Sequence, residues 1–163
     1  MDQSRTVPKF LNGLFPGLVR IAATFFYIGY VPVGPGTAAS AAGALLSIAL
    51  SDQPFAYLVT LAVILLIGLH ASGQMEEMEK EHDPGCVVID EVAGAMIAFF
   101  MLPLTLPVLI TAFFLFRAFD MFKVFPSNRF ERLKGGMGIM ADDIIAGFYA
   151  NILMHVVLRF IHF

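Results

Sequence analysis

The sequence predicts an all-α helix bundle embedded in a membrane, with about four to five transmembrane helices and an N-terminal interfacial helix. Three observations carry that prediction. Hydrophobic residues make up 58% of the 163 residues and charged residues only 14%, more apolar surface than a soluble domain of this size can enclose within a polar exterior. Several apolar runs approach the roughly 17–25 residues that a helix needs to cross a bilayer. The charges gather in a few connections instead of spreading along the chain.

The elements follow in order. Phe10 to Tyr30 is apolar but interrupted by Asn12, Pro16 and Arg20, which suits a helix lying in the membrane interface. Thr37 to Leu50, about 21 Å long at 1.5 Å per residue, is a short span or a re-entrant helix. Its small residues Ala39, Gly43 and Ser47 fall four apart, a spacing that favours close packing against another membrane helix. Pro54 to Ser72, Val87 to Leu102 and Pro107 to Phe125 read as spans, and a last span runs from Asp142 to about Phe160. The whole chain, 1–163, reads as one domain with residues 1–31 as an N-terminal arm. The sequence specifies no oligomeric state.

With five crossings, the charged stretch Gln74 to Cys86, the stretch holding Arg129, Arg132 and Lys134, and the arm with Arg5, Lys9 and Arg20 all fall on one side. The positive-inside rule makes that side cytoplasmic. Arg159 and His162 then lie outside, against the trend. The net charge of −3 argues against a nucleic-acid partner held by a bulk positive field. Asp2, Arg5 and Lys9 precede a mixed segment without the clean apolar core of a signal peptide. Cys86 is the only cysteine, which excludes an intrachain disulfide and a cysteine zinc cluster. The sixth residue after it is Val92, so no Cys-x5-Arg phosphatase loop exists, and an inert thiol is expected.

Ionisable residues in apolar segments are costly and usually functional. Asp83 before Pro84 predicts a helix start, with Asp83 as its cap or as a substrate contact. Asp90 and Glu91 then fall two turns into an apolar helix, where adjacent carboxylates are unfavourable without a cation. Gly94 leaves room beside them for a ligand or a neighbouring helix. Arg117, Asp120 and Lys123 are spaced three apart and form one polar stripe. Such a stripe is either an internal ion-pair ladder or a site in which Arg117 and Lys123 bind phosphate oxygens while Asp120 holds a metal. Gly135 to Asp143 reads as a glycine-rich loop whose backbone could approach an anion. Asp142 and Asp143 would then open the last helix as caps or ligands. Thr37, in the loop from Val33 to Ser40, caps a turn or binds a phosphate at the helix start.

These carboxylates offer hard oxygen ligands with no cysteine and little histidine, which favours Mg²⁺ over zinc. The expected metal ligands and catalytic groups are Asp90, Glu91, Asp120, Asp142 and Asp143. Thr37, Asp83, Arg117 and Lys123 are the expected substrate contacts. His70 and His82 are expected to be structural.

The chain resembles the phosphatidylglycerophosphatase A family from about Gly34 to Ala150. The resemblance rests on Pro35-Gly36-Thr37, on Asp90-Glu91 followed by Gly94, on Phe116 to Asp120, and above all on Gly135 to Asp143 with Ala146-Gly147. It implies a Mg²⁺-dependent phosphatase of the bacterial inner membrane. Its substrate would be the phospholipid phosphatidylglycerophosphate, on the route to phosphatidylglycerol and cardiolipin. Where the family has Lys-Pro-x-Pro, this chain reads Lys123-Val124-Phe125-Pro126; where it has Pro-Gly-Thr-x-Gly-Ser, this chain reads Pro35 to Ser40 with Ala39 as the fifth residue. Two alternatives stay open: a small divalent-cation carrier using the same carboxylates, and a lipid phosphatase acting on another headgroup.

Overall fold

A computed structural model describes residues 9–122, 133 and 135–160, with side chains from Phe15 onward. The described residues are all helical in architecture: α1 (Lys9–Ala23), α2 (Pro35–Ala49), α3 (Pro54–Glu79), α4 (Ile89–Phe99), α5 (Leu106–Phe122) and α6 (Gly136–Phe160), with a single 3₁₀ turn at Ile28–Tyr30. No strand occurs among them. The short helix α4 is the centre of the bundle and touches α2, α3, α5 and α6. Every residue of α4 except Glu91 is buried.

Two helices, α3 and α6, are long and apolar enough to cross a membrane, and α2 is a shorter apolar helix. Only 28% of the most apolar stretch of α3 and 33% of that of α6 is buried. A core helix of a soluble protein would be mostly buried; these present leucine, isoleucine, valine and phenylalanine side chains outward, as lipid-facing helices do. At 11 residues, α4 is shorter than the span expected for it.

Small residues set how closely the helices approach. Ala39, Gly43 and Ser47 are buried along one face of α2, as their spacing suggested. A Cβ at Gly43 would lie 2.6 Å from the Val92 carbonyl oxygen and 2.8 Å from the Ala95 Cβ, so α2 rests on the backbone of α4. Several polar groups inside are paired. Ser47 Oγ donates to the Gly43 carbonyl and lies 2.8 Å from Tyr57 Oη, which donates to the Met96 carbonyl. Asn151 Nδ2 donates to the carbonyls of Ala98 and Phe100 at the end of α4. Unsatisfied carbonyls at a helix end are costly in an apolar setting, so these bonds close α4.

Three sequence expectations about helix starts are corrected. The last helix begins at Gly136 and not at Asp142, so the glycine-rich stretch is helix and not an anion-cradling loop. The reason is packing: a Cβ at Gly136 would collide with the Leu69 carbonyl, and one at Gly73 would lie 2.9 Å from the Gly136 nitrogen. These glycines let α6 lie against α3. Asp83 starts no helix; it is exposed in a left-handed conformation with φ 53°. The chain turns until α4 begins at Ile89, so Asp90 and Glu91 occupy the first turn and not the second. The stretch after Glu79 is held from the N-terminal side. Val88 N donates to the Ala23 carbonyl, and Gly29 packs on the Cys86 carbonyl.

Gly43→Ala should destabilise the fold by about 1–3 kcal/mol, as overpacking against backbone does. Gly17→Ala, in α1 with nothing within 4 Å of the added atom, should stabilise by about 0.5–1 kcal/mol through backbone entropy. Thermal unfolding of both variants in detergent tests this opposition of sign.

Candidate active site

The acidic and basic residues meet at the end of the bundle where α2, α4 and α6 begin and α5 ends. Asp90 and Gly94 lie one turn apart on α4, and Asp143 and Gly147 one turn apart on α6, so each pair shares a helix face. The two glycines meet: a Cβ at Gly147 would strike the Gly94 carbonyl, and one at Gly94 would lie 2.6 Å from the Asp143 carbonyl and 2.8 Å from the Phe116 ring. The space beside Gly94 therefore belongs to neighbouring helices and not to a ligand. Because the helices cross there, Asp143 comes to stand opposite Asp90 and Glu91. Glu91 turns toward α2, where Gly36 leaves just enough room for its carboxylate and for Arg117.

Carboxylate oxygens of Asp90, Glu91 and Asp143 all lie within 4.8 Å of one another. Asp90 is 7% exposed and Asp143 2%. Asp90 Oδ1, Glu91 Oε2 and Asp143 Oδ2 are buried without a hydrogen-bond partner; among the described residues only Ser72 Oγ shares that condition. At an effective dielectric of about 20, each pair of charges at such a separation repels by at least about 3 kcal/mol. The positive end of the α4 dipole offsets part of this, typically by about 0.3–1 kcal/mol per group. The remainder calls for a cation. A donor set made only of carboxylate oxygens, close together and unpaired, fits a hard divalent ion.

Beside the cluster, Arg117 donates from Nη1 to Asp120 Oδ2 at 2.6 Å and to Ser40 Oγ at 3.4 Å. Ser40 Oγ in turn donates to the Gly36 carbonyl at 2.8 Å. The Arg117 and Asp120 side chains retain 17% and 18% exposure, so with the partly exposed Glu91 they form the accessible edge of the centre. Asp120 also bears electrostatically on Asp143 and Glu91. Among the described residues Arg117 thus bears on three carboxylates, Asp120 by hydrogen bond and Glu91 and Asp143 electrostatically.

The remaining expected residues fall nearby but do not join the triad. Asp142 is buried one position before Asp143, and its carboxylate is not among the three that converge. Thr37 is exposed in the first turn of α2, next to Gly36. Asp83 is exposed on the α3–α4 connection, within electrostatic reach of Asp90. Lys123 lies outside the described residues. His70 pairs with Gln74, and His82 with Glu76 at 3.1 Å, consistent with structural roles. Ser40 and Glu76 were not anticipated. Ser40 carries a weak signal, a hydroxyl one turn after Gly36 among alanines. Glu76 carries none, yet its Oε2 accepts from Gly135 N at 2.7 Å and anchors the start of α6. Burial pushes the Cys86 thiol up, and the nearby Glu79 adds to this, the opposite of what activates a cysteine nucleophile.

A helical bundle that sets an acidic cluster able to hold a metal ion beside an arginine belongs to a recognisable class, since carboxylate-bound metal and guanidinium together equip a centre for phosphoryl transfer. The comparisons are more specific: the sequence profile of the family described as Phosphatidylglycerophosphatase A matches residues 21–158, and the chain belongs to that family. It is 34% identical over 140 residues to phosphatidylglycerophosphatase A of Haemophilus influenzae, covering 83% of this chain and 86% of that one. It is 36% identical over 140 residues to phosphatidylglycerophosphatase A of Escherichia coli, covering 78% and 76%. A Bacteroides thetaiotaomicron protein provisionally named a phosphatidylinositol-3-phosphatase is 37% identical over 145 residues, covering 83% and 91%. No solved structure matches the chain.

In chelator, Asp143→Asn should raise stability by about 1–3 kcal/mol, because a buried carboxyl crowded by other carboxylates, with Oδ2 lacking a partner, is replaced by an amide that can donate to its neighbours. Chemical unfolding in detergent with EDTA checks it, and a loss of stability would contradict the reading of the cluster. Alkylation of Cys86, or Cys86→Ala, should leave enzymatic turnover within about twofold of the unmodified protein, as expected for a thiol with a raised pKa.

Proposed function

We propose that this chain is a membrane lipid phosphatase that removes the terminal phosphate of phosphatidylglycerophosphate, giving phosphatidylglycerol and inorganic phosphate. The observation that carries the proposal is the set of three clustered carboxylates beside Arg117, each with one buried oxygen left without a partner, in a chain that belongs to the phosphatidylglycerophosphatase A family. The cation is proposed to be Mg²⁺, held by Asp90, Glu91 and Asp143, with Asp120 and Asp142 as the further candidates. When bound, it would withdraw charge from the phosphate oxygens.

The chain's own groups then have separate tasks. Arg117, held by Asp120 and Ser40, is preorganised to bind phosphate oxygens with two parallel donors. The N-terminus of α2, with Thr37, adds backbone donors suited to an anion. Lys123 is proposed as a second positive contact, and Asp83 as an acceptor for a hydroxyl of the headgroup. Hydrolysis breaks the bond between phosphorus and the glycerol oxygen. Water's oxygen ends on phosphorus, and the glycerol oxygen leaves with a proton. A carboxylate either takes the proton from the attacking water or attacks phosphorus itself. Stereochemistry at a chirally labelled phosphorus separates the two, because one direct displacement by water inverts it and two successive displacements through an acyl phosphate retain it.

Helices α2 to α6 are proposed to cross or enter the bacterial inner membrane, with the site at the cytoplasmic face. A cation carrier would need a polar path through the bilayer. Beyond the cluster, α4 offers only apolar residues from Val92 to Phe99, all buried, which disfavours that reading. A different headgroup is the second reading, supported by the name of the Bacteroides relative.

Phosphate release should require a divalent cation and be abolished by EDTA. Arg117→Lys should lower kcat/KM by about 10²-fold, the usual loss when one oriented donor is removed from a charge-stabilising site. Release from phosphatidylglycerophosphate should exceed release from phosphatidylinositol 3-phosphate in mixed micelles. The reverse order would move the assignment to the second reading, and no release from folded protein in lipid would overturn the phosphatase proposal.

A further inference from the structure

Three of the cavities that border the described helices differ in what they can hold. One, of about 460 Å³, is lined by Glu76, Glu77, Lys80, Glu81 and His82 at the end of α3; its acidic wall repels a phosphate headgroup. An apolar groove of about 390 Å³ between α1 and α3 is lined by Phe15, Leu18, Leu66 and Ile67, none of them a neighbour of the carboxylates. The third, about 340 Å³, lies between α2 and α5 and is lined by Ala41, Ala44 and Ile48 on one side and Ile110, Phe113 and Phe114 on the other.

The walls of this third groove run on, along the same two helices, from Ser40 and Arg117, whose hydrogen bond joins α2 to α5. Ala44 and Ile48 follow Ser40 by one and two turns, and Phe113 and Ile110 precede Arg117 by one and two turns. The helices run in opposite directions, so both series lead away from the polar end. From Ala41 to Ile48 the groove extends about 10 Å along α2 at 1.5 Å per residue, in the direction in which a lipid's chains run into the hydrocarbon.

We infer that the α2–α5 groove is where an acyl chain of the phospholipid substrate lies while its phosphate meets Arg117, so that the lipid enters sideways between these two helices. The inference rests on the lipid-phosphatase reading above. Hydrocarbon tails are as apolar as leucine side chains, so the groove adds little affinity by itself. Its effect is positional. A chain seated between Ala41 and Phe114 fixes the height and orientation of the headgroup, and a misplacement of about 1 Å at a reacting centre can cost about 10²-fold in rate. The small residues Ala41 and Ala44 keep the α2 wall low enough for a chain to settle against the phenylalanines of α5.

The test compares two substrates that share one reacting phosphate: long-chain phosphatidylglycerophosphate in mixed micelles, and its deacylated, water-soluble counterpart. Ala41→Trp and Ile110→Trp fill the groove from its two walls at positions exposed to lipid. Val59→Trp, on the exposed face of α3, is the control. Each groove variant should lower kcat/KM for the long-chain lipid by about tenfold or more, as expected for a displaced headgroup. Each should leave the deacylated substrate within about twofold, and Val59→Trp should change neither. Unchanged hydrolysis of the long-chain lipid by both groove variants would overturn the inference. Equal losses on both substrates would also overturn it, since the bulk would then be acting on the headgroup centre. If the unmodified protein hydrolyses neither substrate, the phosphatase reading itself fails and the groove assignment with it.

Discussion

The close crossing of α4 and α6 at Gly94 and Gly147 is the constraint on which the site depends. A side chain at either position would meet backbone of the other helix. With both absent, the helices approach closely enough that the residues one turn earlier, Asp90 and Asp143, are brought face to face with Glu91 between them and α2. The same principle recurs around α4. Gly43 seats α2 on its backbone, and Gly36 leaves space for the Glu91 carboxylate. Glycine here works less through backbone freedom than through the volume it omits.

That proximity has an electrostatic consequence. Three carboxylates crowded within 4.8 Å, on the polar side of an apolar helix, are unfavourable together unless positive charge joins them. The chain supplies Arg117, but its guanidinium is already engaged by Asp120. The fold thus holds its acidic residues in an arrangement able to take up a metal ion, and keeps its arginine at the accessible edge. The division suits phosphate chemistry: charge neutralisation from one side and an oriented fork of donors from the other.

Much of this was legible in the sequence, for physical reasons. Apolar runs and clustered charges announced the helices, because a bilayer admits few other structures. Asp90, Glu91 and Asp143 stood out because carboxylates in apolar surroundings need a cause. Helix boundaries were less legible. Asp83-Pro84 has the local chemistry of a helix start, but hydrogen bonding of Val88 to Ala23 and the packing of Gly29 on Cys86 fix the chain as turns until Ile89. Gly135 to Gly138 looks like a loop by propensity, yet contact with Leu69 and Gly73 makes glycine the residue a tight helix crossing requires. Tertiary packing decided both, and neither contact can be read from local pattern. Separation of Asp142 from its neighbour Asp143 likewise depends on the rotation of α6 about its axis, which spacing alone does not set.

The most direct measurement is the binding of Mn²⁺, as a spectroscopic substitute for Mg²⁺, to the protein in lipid nanodiscs by electron paramagnetic resonance. The account predicts saturable, stoichiometric binding that Mg²⁺ displaces and that Asp90→Asn, Glu91→Gln and Asp143→Asn each weaken strongly, while Asp52→Asn, remote from the site, leaves it unchanged. Binding that survives all three substitutions, or no saturable binding to folded protein, would contradict the claim that these carboxylates form a cation centre.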